Sequence, residues 1–361
     1  MSNAIRIRRD ENRLPPAVIF SCLISCYAVG LWGYLLYLLC STLLAWQIPL
    51  AFCCAAVLLL SFWSFAGLII ETGLIVSLVR HSRIENYFAA EREYIRFTQL
   101  WRALPIRQGG RLGLTYSNLS LVLMSQGKYE QAEPVLREAV RLVEQDRRLK
   151  HSYLMAIALN NLAAVLCHAK KFEESETLSK RALFIFEQKS GSTCGSAFAL
   201  LNLGSICVQT DRFAESEQHL ERARLFLENT RKPFLVMPSS VEQAKVSVVL
   251  SYALLRCEQG RMDEARSLCD TLLAEKNSRY LRSTALEKMS LISRRLIDAG
   301  DKATAEKVLE HAYMIGQKQP QHLHTEEMLD TYALLLTQTN RADEVADMRR
   351  WIRPVMLPAV I

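Results

Sequence analysis

The sequence predicts an all-α chain, an N-terminal transmembrane helical hairpin followed by an α-solenoid of about six helix-turn-helix units. Three observations carry this. The 57 residues from Leu14 to Ile70 contain no Asp, Glu, Lys or Arg. The remainder is charge-rich and poor in turn formers, with only 14 Gly and 10 Pro in 361 residues, which argues against turn-rich β architecture and low-complexity disorder. From Arg111 onward the chain resembles itself at intervals of about 40 residues, a period that marks stacked supersecondary units.

Residues 1–16 form a basic terminus containing Arg6, Arg8, Arg9 and Arg13. As one helix, the apolar run would extend about 85 Å, far more than a hydrocarbon core of about 30 Å. Two spans with a tight reversal fit, near 17–44 and 49–79. Trp46 suits the interface and Pro49 the first turn of the second helix. Arg80, His81 and Arg83 follow the second span, so both flanks are basic. The positive-inside rule then puts both termini and the solenoid in the cytoplasm, with a bacterial inner membrane as the expected location. Glu71 is a candidate intramembrane or interfacial contact, since a carboxylate within a span is costly unless it faces a partner. Leu23-Ile24-Ser25-Cys26 has the form of a lipoprotein cleavage box, but the apolar run continues past Cys26 where a polar tether would be needed.

Residues 80–110 are expected to form an amphipathic connector. Tyr87, Tyr94, Phe97, Trp101 and Leu104 recur at helical spacing, with Pro105 and Gly109-Gly110 closing the segment. Two roles fit: a helix resting on anionic lipid, or a rigid connector packing its aromatics onto the first solenoid helix.

The net charge of +7 is concentrated near the apolar run. Residues 1–13 carry +2, residues 71–111 carry +3, and the 250 residues that follow carry only +2. This distribution suits a membrane surface and excludes nucleic acid as the expected partner. Of ten cysteines, Cys22, Cys26, Cys40, Cys53 and Cys54 lie in the apolar run. Cys167, Cys194, Cys207, Cys257 and Cys269 lie in helical patterns without a CxxC pair, as core thiols do.

Three strong units occupy the start of the solenoid, which spans 111–353 before a short tail, 354–361. Each opens on Asn, Leu and a small residue: Asn118-Leu119-Ser120, Asn161-Leu162-Ala163 and Asn202-Leu203-Gly204. Then come an aromatic (Tyr129, Phe172, Phe213), a small residue (Ala132, Ser175, Ser216) and an Ala (Ala139, Ala182, Ala223) at constant spacing. Small residues where two helices cross let the backbones approach, and the Leu and aromatic fill the space beside the crossing. Gly127 supplies the first turn, and Pro134 is expected near a helix start. Three weaker units follow, with turns at Gly260, Gly300 and Asn340. Pro233 and Pro238 lengthen the joint between units three and four.

These residues resemble the tetratricopeptide repeat, in the longer form of about 42 residues typified by kinesin light chains. The run Tyr129-Glu130-Gln131-Ala132-Glu133-Pro134-Val135-Leu136 is very similar to the second helix of that form. The resemblance covers about two thirds of the chain. It implies a superhelix whose first helices line a concave groove that takes a peptide or partner helix. Asn118, Asn161 and Asn202 occupy the position that contacts ligands in that family, and an amide offers both donor and acceptor to an extended backbone. The positions of the family's basic clamp for carboxylate termini hold Ser117, Leu121, Phe198 and Asn202 here, so that specificity is not expected.

No phosphate loop, nucleophile elbow or HExxH motif occurs, so no catalytic residue, cofactor, metal or small-molecule substrate is expected. His322 and His324 are expected at the surface of a helix N-terminus, and Glu173-Glu174-Ser175-Glu176 on a solvated face. The expected function is a membrane-anchored scaffold or adaptor that recruits protein partners through the groove. The alternative is an assembly factor for a membrane-protein complex that uses the hairpin as well.

Overall fold

Helical hairpins form where Leu, small residues and an aromatic recur, because each helix alone leaves one stripe of apolar surface uncovered. The computed structural model describes Gly30, Tyr34, Tyr37 and residues 87–103, 109–188, 193–228, 238–274, 281, 285–318 and 322–352. The expected spans 17–44 and 49–79, Glu71 and Cys26 lie outside these, apart from Gly30, Tyr34 and Tyr37, which are helical and exposed. Among the described residues no helix is long and apolar enough to cross a membrane. The joint containing Pro233 is likewise outside them.

The chain divides into two compact units, Met1–Thr115 and Tyr116–Ile361. In the first, α1 (Tyr87–Ala103) buries one face through Ala90, Tyr94 and Trp101, each 1% exposed, while Arg92, Arg96 and Arg102 face outward. The Arg111 guanidinium lies over the Trp101 ring at 5.5 Å. Of the expected aromatic stripe, Tyr94 and Trp101 are buried and Phe97 is partly buried. Gly109 and Gly110, expected to close the segment, instead open α2 (Gly109–Ser125), where backbone freedom costs least at a helix start.

In the second unit, α2 continues into a stack of hairpins: α3 (Tyr129–Gln145), α4 (Tyr153–His168), α5 (Phe172–Gln188), α6 (Thr193–Gln209), α7 (Phe213–Glu228), α8 (Pro238–Glu258), α9 (Met262–Leu273), α10 (Leu286–Asp298), α11 (Lys302–Lys318), α12 (Leu323–Gln338) and α13 (Ala342–Ile352). Even-numbered helices are the first of each pair. They also pack on one another between repeats: α4 on α6, α6 on α8, α8 on α10 and α10 on α12.

The predicted crossings are present. Ala132, Ser175 and Ser216 are fully buried, and the two serines close the crossing with a hydrogen bond. Ser175 Oγ donates to the Ala163 carbonyl at 2.6 Å and Ser216 Oγ to that of Gly204 at 2.9 Å. A Cβ on Gly204 would meet Leu220 Cδ2 at 3.1 Å, so glycine sets the approach of α6 and α7.

Among the described residues, the six turns within hairpins share one geometry. Gly127, Lys170, Asp211, Gly260, Gly300 and Asn340 all have positive φ, between 57° and 85°. At each turn this residue's N–H returns to a carbonyl three residues back. The next N–H returns to one five residues back, as in Gly300 to Ile297 and Asp301 to Leu296. This is the Schellman closure, and it makes the three weak units structurally equivalent to the three strong ones. Pro134 departs from expectation: it is the sixth residue of α3, so Glu130 loses a helical partner for its carbonyl. Both residues are exposed, and water can satisfy that group.

The core has two parts that meet on α8. Ala244, Val248 and Leu255 join the apolar cluster of the first repeats, and Val246, Leu250, Ala253 and Cys257 that of the last. This explains why this 21-residue helix carries apolar residues around much of its circumference. The five described cysteines are buried, as expected of small core residues.

A charge ladder joins successive repeats on the second helices. The fifth residue of the second helix in repeats one to five pairs with a side chain of the next repeat, at its turn in four cases and near the end of α8 in the case of Arg256. The pairs are Glu133 with Lys171 (2.9 Å), Glu176 with Arg212 (2.6 Å), Glu217 with Arg256 (2.5 Å), Arg266 with Asp301 (2.7 Å), and Glu306 with Arg341. The acidic run 173–176, expected to be merely solvated, thus contains an inter-repeat contact at Glu176 and another at Glu174, which accepts from Arg137 at 2.8 Å.

Candidate functional site in the concave row

The first helices place Asn118, Asn161 and Asn202 at equivalent positions of successive repeats. Asn118 and Asn202 are partly buried and Asn161 is 8% exposed. Asn202 Nδ2 donates to both the carbonyl and Oδ1 of Asn160 at 3.0 Å, so it already ties the second repeat to the third. Asn161 Nδ2 is buried with no hydrogen-bond partner. A buried donor left unpaired costs about 1–3 kcal/mol.

Beyond the Asn row, the first helices of distant repeats converge. Lys288 Nζ on α10 donates to Ser205 Oγ on α6 at 3.0 Å and to Ser251 Oγ on α8 at 2.9 Å. Ser251 takes the Asn position in the fourth repeat, so there the row contacts an internal cation. Burial pushes the Lys288 ammonium pKa below its ordinary value. Gln209 Nε2 reaches Cys167 Sγ at 3.4 Å, and burial raises that thiol to about 11, leaving it protonated and unreactive.

Next to Cys167, His168 Nδ1 lies 3.2 Å from Glu287 Oε2, and His324 Nε2 lies 3.9 Å from the same oxygen. The Tyr129 ring stacks on His168 with centroids 4.0 Å apart. His322 and His324 are therefore not a surface pair. His322 is 3% exposed, and burial pushes its pKa down to about 4. Its Nδ1 caps α12 by accepting from the His324 N–H at 3.3 Å. No sequence pattern marks this cluster, because its members come from the second, fifth and sixth repeats. Only the curvature of the stack brings them together.

The family models of the tetratricopeptide repeat match residues 113–145 and 154–227, covering the three strong units. The chain carries tetratricopeptide repeats. The other three units follow from the shared turn and crossing geometry of the solenoid. No curated protein sequence matches the chain significantly. Among solved structures, the tetratricopeptide-like fold extends to a Rap protein complexed with competence and sporulation factor. It is 12% identical, spans 90% of this chain and 97% of that one, and has a TM-score of 0.57. BtubC (BKLC) from P. vanneervenii is 19% identical over 64% of this chain and 90% of that one, at a TM-score of 0.44. A tetratricopeptide repeat protein from Parabacteroides merdae is 15% identical over 78% of this chain and 98% of that one, at a TM-score of 0.40.

Proposed function

We propose that this tetratricopeptide-repeat protein is a membrane-anchored adaptor that performs no catalysis and recruits a protein partner through the concave row of its first helices. The observation that carries the reading is the placement of Asn118, Asn161 and Asn202 at equivalent positions of three successive first helices. An extended backbone presents acceptors at a regular rise, and an amide can bond them without demanding particular side chains. The Rap protein of similar fold is seen in complex with competence and sporulation factor, which fits a solenoid that serves a binding partner. Anchoring rests on the charge-free run from Leu14 to Ile70 with its basic flanks, which would hold the repeats on the cytoplasmic side of a bacterial inner membrane.

The test is affinity co-purification from the native host. It compares wild type with an Asn118→Ala, Asn161→Ala, Asn202→Ala variant of unchanged helicity. A protein lost only in the variant supports the groove as the recruiting surface. An unchanged partner set refutes it.

One observation favours a second reading: Glu71 ends the charge-free run, where a carboxylate costs about 2.5–3.5 kcal/mol at mid-membrane. In that reading the protein assists assembly of a membrane complex through its hairpin. Loss of a complex in a Glu71→Leu variant that still inserts would favour it.

A further inference from the structure

We propose that His168, Glu287 and His324 form a site for a zinc-class divalent metal ion, clamping the first helices of the second, fifth and sixth repeats together. The argument rests on which atoms face each other. His324 Nδ1 is 3.1 Å from Glu327 Oε2, so the neutral ring carries its proton there, donating to the carboxylate. Nε2 is then a bare lone pair. It is buried, has no hydrogen-bond partner, and faces Glu287 Oε2 at 3.9 Å. A lone pair and a carboxylate oxygen cannot hydrogen-bond each other; a cation between them satisfies both.

His168 Nδ1 approaches the same oxygen at 3.2 Å, and the three candidate ligand atoms all lie within 4.8 Å of one another. Ligands bound to zinc at about 2.0–2.2 Å in tetrahedral array stand about 3.4 Å apart, so small rotations of the rings complete the set. Two imidazoles and one carboxylate suit zinc and its neighbours in the first transition row, not calcium or magnesium.

The surroundings are those of an oriented site. Glu327 fixes the His324 tautomer, in the carboxylate–histidine–metal arrangement. Tyr129 fixes the plane of His168 by stacking. His322 is not a ligand, because its Nδ1 lone pair is committed to the α12 cap. Among the described residues, the other grouping of this kind, Cys207, Glu215 and His219, differs because Glu215 already pairs with Arg212 at 3.2 Å. It serves as the internal control.

The experiment uses the full-length chain, purified in detergent and stripped with chelator, and titrates it with Zn²⁺ and with Co²⁺. We expect one equivalent to bind and to raise the melting temperature. Cobalt should give the visible absorption intensity of a tetrahedral site. His168→Gln, Glu287→Gln and His324→Gln should each weaken binding at least tenfold and abolish the melting shift, while His219→Gln leaves both unchanged. Glu327→Gln, which touches no metal, should weaken binding about 10–100-fold. Failure of the wild type to take up either metal at stoichiometric concentration overturns the proposal, whatever the variants do. So does uptake that the three ligand variants leave unaltered or that His219→Gln removes.

Discussion

Lys288 Nζ donates to Ser205 Oγ at 3.0 Å, joining α10 to α6 across two repeats. Neutral hydroxyls, not carboxylates, accept from this ammonium, so its burial is only partly compensated. Burial holds its pKa below the ordinary 10.5, and the folded chain binds fewer protons than the unfolded one between the two values. Stability should therefore rise with pH through that window. Lys288→Met should stabilise the fold at pH 7 by about 1 kcal/mol and flatten the rise toward alkaline pH. Melting curves of both proteins at neutral and alkaline pH measure this.

The six left-handed turn residues make opposite predictions according to their side chains. Lys170 carries a Cβ at a φ of 57°, and Lys170→Gly should stabilise by about 1 kcal/mol. Gly300 has a φ of 85° and open space around a virtual Cβ, so Gly300→Ala should destabilise by about 1 kcal/mol through the backbone alone. Denaturant midpoints at constant m-value measure both.

The inverted rung of the charge ladder permits a swap. Arg266 and Asp301 are 2.7 Å apart where other interfaces put the acid on the second helix. Arg266→Asp should cost about 0.5–1 kcal/mol, and Arg266→Asp with Asp301→Arg should return most of it. A double-mutant cycle on melting temperature gives the coupling.

At the α6–α7 crossing the tolerance is one methyl group. Gly204→Ala should be close to neutral, because a helix-propensity gain of about 1 kcal/mol offsets a small shift of buried Leu220. Gly204→Val should cost about 2–3 kcal/mol by overpacking. Urea unfolding of the two variants separates the effects.

The sequence made the hairpins legible because their determinants are local. Leu203, Gly204, Phe213 and Ser216 meet within one repeat, and spacing alone places them on facing helix stripes. Gly127, Gly260 and Gly300 announced their turns, whereas Lys170 and Asp211 hid theirs, since the closure depends on backbone shape and not on glycine itself. The equivalent placement of Asn118, Asn161 and Asn202 on first helices was legible for the same local reason, but the engagement of Asn202 by Asn160 was not. Contacts set by the curvature of the stack escaped sequence reasoning altogether. His168, Glu287 and His324 carry no mutual spacing, and His322–His324 resembles a surface pair until the second repeat closes over it.

The central claim is that the concave row recruits the partner. A photo-reactive amino acid at Leu121, exposed on a first helix three residues beyond Asn118, should capture a protein adduct in the native host. The same probe at Phe184, exposed on a second helix, should not. Adducts from position 184 with none from 121 would contradict the account and move recognition to the convex face.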